Sequence, residues 1–124
     1  MAKIATHKDL RVYQLAFVKA MEIYTISKWF PVEEKYSLTD QIRRSSRSVC
    51  ANLAEAFRKR RYPKNFVSKL SDCEAEAAET QVWLDFALAC DYITIEDYEK
   101  LYKEYDMIIG MLVRMIVEPE KWNL

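Results

Sequence analysis

The sequence predicts an all-α protein, an antiparallel up-down-up-down four-helix bundle. Three observations predict it. The 124 residues include one glycine and three prolines, too few turn-formers for strands joined by tight hairpins. Apolar residues recur every three or four positions along four long segments, the period of an amphipathic helix. The breaks between segments, at Pro31, at Tyr62 and Pro63, and at residues 91–94, are short, and short connections make consecutive helices antiparallel neighbours. The length suits one domain with one core over residues 1–124.

Helix one is expected over 7–29. Thr6, His7, Lys8 and Asp9 read as a capping box with Asp in place of Glu, and Leu10, Tyr13, Phe17, Met21 and Tyr24 form its core stripe. Helix two is expected over 33–61, with Leu38, Ile42, Val49, Leu53 and Phe57 in line and the small Ser45, Ser46 and Ala56 nearby. Helix three, over 64–90, follows Pro63 and lines up Phe66, Leu70, Cys73, Ala77, Leu84 and Leu88. Helix four, over 95–117, opens on Thr94 and stacks Tyr98, Leu101, Tyr105, Ile108, Leu112 and Ile116 before Pro119 ends it. Gly110 inside this helix costs about 1 kcal/mol relative to alanine, which a close helix crossing would offset. Residues 118–124 read as a short tail held by Trp122.

Two helices carry more apolar surface than one core needs. Val12, Ile23 and Phe30, flanked by Leu15, Ala16 and Ile26, lie opposite Leu10 and Phe17 on helix one. Val82, Trp83 and Phe86 lie off the main stripe of helix three, which Ala75, Ala78 and Ala89 make thin enough for close approach. A helix apolar nearly all round is buried all round, and in a monomer this surface would form a large exposed patch. A homo-oligomer is therefore expected, with Val12, Ile23, Phe30, Val82, Trp83 and Phe86 at its interface.

The formal net charge is zero but unevenly spread. Residues 41–64 hold eight basic residues and one acid, whereas residues 72–106 hold eleven acids and two lysines. At 100° per residue, Arg47, Arg58 and Arg61 fall within about 60° of Arg43 around helix two. Lys59, Arg60 and Lys64 widen the basic end. A row of guanidinium groups suits phosphates, to which each offers paired donors and a permanent charge. Nucleic-acid contact is thus expected at Arg43, Arg47, Arg58, Lys59, Arg60, Arg61 and Lys64, with Tyr62 and Phe66 near enough to stack on bases. The competing reading pairs helix-two arginines with Asp72, Glu74, Glu76, Glu79 or Asp85 of helix three; it stays open for Arg43, Arg44 and Arg47, while residues 58–61 are expected to face solvent. Arg44, Ser48, Ala51 and Glu55 share another face with Asn52 beside it, and Arg44, Asn52 and Glu55 read as a structural polar network. Arg44 and Glu55 stand about 16 Å apart along the helix, so each needs a partner elsewhere.

No catalytic constellation is visible. His7 is the only histidine, and Glu-x-x-His pairs, a glycine-rich phosphate loop and G-x-S-x-G are absent from the sequence. Cys50, Cys73 and Cys90 are odd in number and far apart, which argues against a disulfide framework or a zinc site. No cofactor and no metal are expected. The longest strongly apolar run, residues 107–113, is too short to span a bilayer, and no secretory signal pattern is seen. These features point to a cytoplasmic protein without a membrane partner.

Three blocks, DLRVYQLAF, EKYSLTDQIRRSSRSVCANLAEAFRKR and EAAETQVWLDFALACDYI, together resemble the four-helix-bundle proteins of the 23S rRNA intervening-sequence family. These are small bacterial proteins, some encoded within insertions in large-subunit rRNA genes. The family's Q-I-R-R run maps onto Gln41, Ile42, Arg43 and Arg44, and its N-I-A-E run onto Asn52, Leu53, Ala54 and Glu55, followed by Ala56 in place of a glycine and by the basic Arg58. The resemblance implies an antiparallel four-helix bundle assembled as a ring-like homopentamer. Distant relatives serve reverse transcriptases as accessory proteins whose basic surface contacts RNA and protein. The expectation is a non-enzymatic, oligomeric bundle that binds RNA or a ribonucleoprotein through the basic surface. The alternative is a homo-oligomeric protein–protein interaction scaffold that binds no nucleic acid.

Overall fold

The computed structural model describes residues 4–122. Four long helices account for most of it: α1 (Arg11–Ser27), α2 (Leu38–Arg58), α3 (Pro63–Ala89) and α4 (Ile95–Val117). Short 3-10 turns precede α1 (His7–Asp9), precede α2 (Val32–Glu34) and follow α4 (Pro119–Trp122). Consecutive helices pack together and α4 closes back onto α1, while no Cα of α1 lies within 8 Å of one in α3. The cross-section is therefore a square with α1 and α3 at opposite corners. Among the described residues, no helix is long and apolar enough to cross a membrane.

The helix ends follow local chemistry. Thr6 Oγ1 accepts from the Lys8 amide and Asp9 Oδ2 from the Thr6 amide, so the expected capping box forms. It caps a 3-10 turn only, because Leu10 is extended (φ −74°, ψ 127°) and α1 begins after it. The expected start of helix two at residue 33 likewise falls in a separate 3-10 turn, and α2 proper begins at Leu38. Pro63 occupies the first turn of α3, where its missing amide costs nothing. Asp91 takes φ 61° just past α3, with the Asp91 amide donating to Leu88 O and the Tyr92 amide to Ala87 O, the paired closure of a Schellman turn. Thr94 Oγ1 accepts from the Asp97 amide and caps α4.

The core stripes of α2, α3 and α4 match the sequence expectation closely: Ile42, Val49, Leu53, Phe66, Leu70, Cys73, Ala77, Leu101, Tyr105, Ile108 and Leu112 are all buried. Helix α1 is rotated from its expected phase. Val12, Ile23 and Phe30, expected at an oligomer interface, lie in the core of the single subunit. Phe17 and Met21, expected in the core, are about half exposed (49% and 48%), beside an exposed Val18. The inward face of α1 combines Val12 and Ile23 with the small Ala16, Ala20 and Ser27 and one charge, Lys19. The larger Phe17 and Met21 side chains are turned outward.

Each of the four helix seams carries a polar clamp. Between α1 and α2, Arg43 Nε donates to Ser27 Oγ at 2.8 Å. Between α2 and α3, the buried hydroxyls of Ser45 and Thr80 meet at 2.8 Å. Between α3 and α4, Gln81 Nε2 donates to Asp106 Oδ1 at 2.8 Å and to Tyr102 O at 3.2 Å. Between α4 and α1, the buried Lys19 ammonium pairs with Glu104, and with Glu22 of its own helix at 2.8 Å. Burial works against the Lys19 charge, but the hydrogen bonds it donates to Glu104 and Glu22 outweigh it and hold the pKa above its ordinary value. A buried polar group that loses its partner is costly, so these clamps fix helix register as well as proximity.

Gly110 does not mark a close crossing: a Cβ placed there meets nothing within 4 Å. Trp122 packs partly buried against the core, as expected of the tail residue; residues 123 and 124 lie outside the described residues.

Candidate nucleic-acid interface

The structure sorts the cations of α2 into three groups. Arg44 leans toward α3, where it pairs with Glu76 at 3.2 Å and with Glu79. Glu55 pairs with Lys69 of α3 at 3.0 Å. The expected partners elsewhere for Arg44 and Glu55 are thus found on α3. Asn52, expected to join them, makes no side-chain hydrogen bond among the described residues; it sits half-buried between the two ion pairs. The polar network is two separate α2–α3 bridges rather than one row.

Arg43 and Arg47 turn the other way, toward α1. Their guanidinium carbons lie 4.8 and 5.7 Å from the centroid of the Tyr24 ring, and Lys28 Nζ lies 4.7 Å from the same centroid. A cation held over an aromatic face gains about 0.5–1 kcal/mol at an exposed site. Neither arginine forms an ion pair among the described residues, so of the three whose pairing was left open, Arg44 alone binds acids.

The third group surrounds the turn from α2 to α3. Lys59 ends α2 (φ −97°, ψ 10°) and Tyr62 is extended (φ −119°, ψ 90°), so residues 59–62 cross from one helix to the next in a tight bend. Arg58, Lys59, Arg61 and Lys64 are exposed there, and none makes an ion pair among the described residues. Arg60 differs. Its guanidinium stacks 3.5 Å from the Phe57 centroid and its Nε donates to Phe57 O at 2.9 Å, closing the end of α2. Partial burial, and then the nearby Arg58 charge, pull its pKa down. Arg60 is thus committed to the fold. Phe66, expected to stack on bases, is only 1% exposed and belongs to the core, because α3 turns it inward one turn after Pro63; Tyr62 remains outward.

An open cleft of about 590 Å³ runs along the outer side of α2's first half, lined by Lys35, Tyr36, Arg43, Arg44 and Arg47, with Thr39, Ser48 and Ala51 as short side chains and Asp40 as its one acid. The periodicity of the sequence placed the arginines on one stripe but gave no sign of the cleft, since Lys35 and Tyr36 come from the connection before α2. The remaining expected interface residues, Val82 and Phe86, are exposed on α3 at 45% and 54%; Trp83 is half-buried and stacks on Phe86 at 5.9 Å.

Among the described residues, no group of three or more His, Cys, Asp and Glu side chains is arranged to hold a metal ion. The three cysteines are free: Cys50 half-buried, Cys73 buried and Cys90 exposed. Burial pushes the thiol of Cys50 up to about 11 and that of Cys73 up to about 12.

The fold and its sequence define a helical-bundle protein of the 23S rRNA-intervening sequence protein class, and residues 8–114 match that family. The chain belongs to this family. It is similar to a crystal structure from Bacteroides thetaiotaomicron VPI-5482, described as a protein with unknown function from the S23 ribosomal protein family. The two share 31% identity over 85% of this chain and 94% of that chain, with a TM-score of 0.76. No curated protein sequence matches the chain.

Proposed function

We propose that this protein is a non-enzymatic, cytoplasmic, homo-oligomeric bundle that binds RNA or a ribonucleoprotein through the cationic bend of Arg58, Lys59, Arg61 and Lys64. The observation that carries the reading is the partition of the cations. Arg44, Lys69 and Lys19 are each committed to carboxylates of a neighbouring helix. The four cations at the bend are exposed and unpaired among the described residues, although the chain carries as many acids as bases. Like charges gathered without counter-charges raise the local potential and favour a polyanion.

Assembly uses the apolar faces that the bundle leaves outward: Phe17, Val18 and Met21 on α1, and Val82 and Phe86 on α3. Since α1 and α3 occupy opposite corners, one face of a copy meets the other face of the next. Such a head-to-tail contact closes into a ring when the rotation permits; family resemblance points to five copies. This exposed apolar surface equally favours the second reading, an interaction scaffold that engages a protein and no nucleic acid.

The combined substitution Arg58→Glu, Lys59→Glu and Arg61→Glu separates the two. It spares Arg60, whose loss would disturb the end of α2. The first reading expects RNA binding that falls with salt and is weakened in this variant, with the assembled mass by light scattering unchanged. No binding of mixed RNA at low salt rejects it in favour of the scaffold, and a variant that binds as well as the parent rejects the bend as the site.

A further inference from the structure

The cleft along the first half of α2 has a construction that the bend lacks. Tyr24, outside the cleft lining, gathers two of its arginines, Arg43 and Arg47, together with the flanking Lys28, within 4.7–5.7 Å of one ring, and none of the three forms an ion pair among the described residues. Three positive charges around one aromatic face repel one another, and the ring quadrupole compensates only part of that repulsion. Arg43 is held further by its Nε bond to Ser27 Oγ at 2.8 Å, which leaves the outer edge of its guanidinium free. Its orientation is thus set before any ligand arrives, so little side-chain freedom is lost on binding. On the same cleft, Tyr36 is 83% exposed, with Lys35 Nζ 5.2 Å from its ring centroid. A fixed cationic wall, small side chains along the floor and an exposed aromatic ring together match a phosphodiester chain that carries unstacked bases.

We infer that this cleft binds a single-stranded polynucleotide, with phosphates against Arg43 and Arg47 and a base stacked on Tyr36. The inference rests on the RNA-binding reading above but assigns a second, separate site. Tyr24 is a positioning residue there: it holds the cations and does not itself touch the strand. Duplexes fit less well, since their bases are paired and stacked away from Tyr36.

Fluorescence anisotropy with a labelled, mixed-sequence single-stranded RNA of twelve nucleotides tests the assignment across a salt series. Arg43→Gln with Arg47→Gln is expected to reduce the slope of log affinity against log salt by about 1.4, two phosphate contacts on a single strand. Tyr36→Ala, at a fully outward position, is expected to weaken binding about five- to a hundred-fold, and Tyr36→Phe to retain it. Tyr24→Leu is expected to weaken binding with Arg43 and Arg47 still present, and thermal melting identifies any loss from misfolding. DNA of the same sequence distinguishes the ligand's source: equal affinity assigns the cleft to phosphate and base alone, and tighter RNA binding adds a contact to the 2′-hydroxyl. The assignment is overturned if the cleft variants bind like the parent while the Arg58, Lys59 and Arg61 variant does not, which leaves the bend as the sole site. It is also overturned if duplex RNA binds more tightly than the single strand. No binding by the parent protein at low salt removes the site and the RNA reading together.

Discussion

The Tyr92 hydroxyl donates to Glu34 Oε2 at 3.0 Å, tying the α3–α4 connection to the turn before α2, while the Tyr92 ring packs 5.6 Å from that of Phe30. Glu34 also accepts from Ser37 Oγ at 2.6 Å and from the Leu38 amide at 3.3 Å. These bonds, that of Ser37 first and Tyr92 second, hold its carboxyl below the usual range. A carboxyl whose folded pKa is depressed stabilises the protein above its unfolded pKa, and that contribution is lost as pH falls through the lower folded value. Tyr92 shifts the other way, up to about 12, chiefly because its proton serves the Glu34 bond. Its contribution is complete below the ordinary tyrosine pKa of about 10 and is lost as pH rises toward 12. Glu34→Gln should therefore be less stable than the parent at pH 7, with the difference in urea midpoint shrinking below pH 4. Tyr92→Phe should show a gap that shrinks in part in the same acid range, as Glu34 protonates, and closes again in strong alkali. A pH-independent gap for Glu34→Gln would rule out this linkage.

Lys19→Ala should destabilise the protein by about 3 kcal/mol, because it leaves Glu104 facing α1 without its cation. The double change Lys19→Met with Glu104→Leu should recover most of that loss, since well-packed apolar pairs often match a buried ion pair. Urea unfolding of the three proteins checks this. A double variant no more stable than Lys19→Ala would show that the ion pair does more than neutralise itself.

Gly110→Ala should stabilise the protein by about 1 kcal/mol, the propensity difference inside a helix, because the new methyl meets no atom within 4 Å. Thermal melting measures it. A lower melting temperature, or a changed assembled mass, would reveal a second copy packed on this face of α4.

Thiol labelling of the native protein should be stepwise. Cys90, exposed, should react first, and Cys50 and Cys73, held protonated by burial, should follow only on unfolding. Mass spectrometry after brief labelling at pH 8 reads the order; fast labelling of Cys73 would contradict its buried position.

Phe17→Glu and Phe86→Glu should each break the proposed ring. Mixed together, the two variants should form a heterodimer and stop there, since each retains the one face the other needs. Light scattering of the mixture distinguishes this from a contact in which each face meets itself, for which no heterodimer forms.

Legibility in the sequence varied with how one-sided each helix is. Helix α2 alternates sharply between Ile42, Val49 and Leu53 inward and arginines outward, so its phase and its cation row could be read directly. Helix α1 is apolar on both sides. Periodicity alone does not tell the Phe17–Met21 face from the Val12–Ile23 face, and side-chain size is no guide, since the inward side also holds Ala16, Ala20 and a lysine. That lysine is inside only because Glu104, eighty-five positions away, faces it, a pairing no local pattern encodes. The same limit hid the Tyr24 cluster, which depends on α1 and α2 meeting at one ring. Phe66 and Arg60 were misjudged at the bend for a local reason, since half a turn decides whether a residue near a helix end faces in or out.

The placement of α1 and α3 at opposite corners decides what a closed assembly would look like from outside. Copies joined through those corners present α2 on one rim and α4 on the other, in every subunit alike. The rim bearing α2 then becomes a circular array of identical weak sites. A long strand that reaches several of them gains avidity by orders of magnitude over a fragment confined to one, so length, more than base order, would govern what the ring retains.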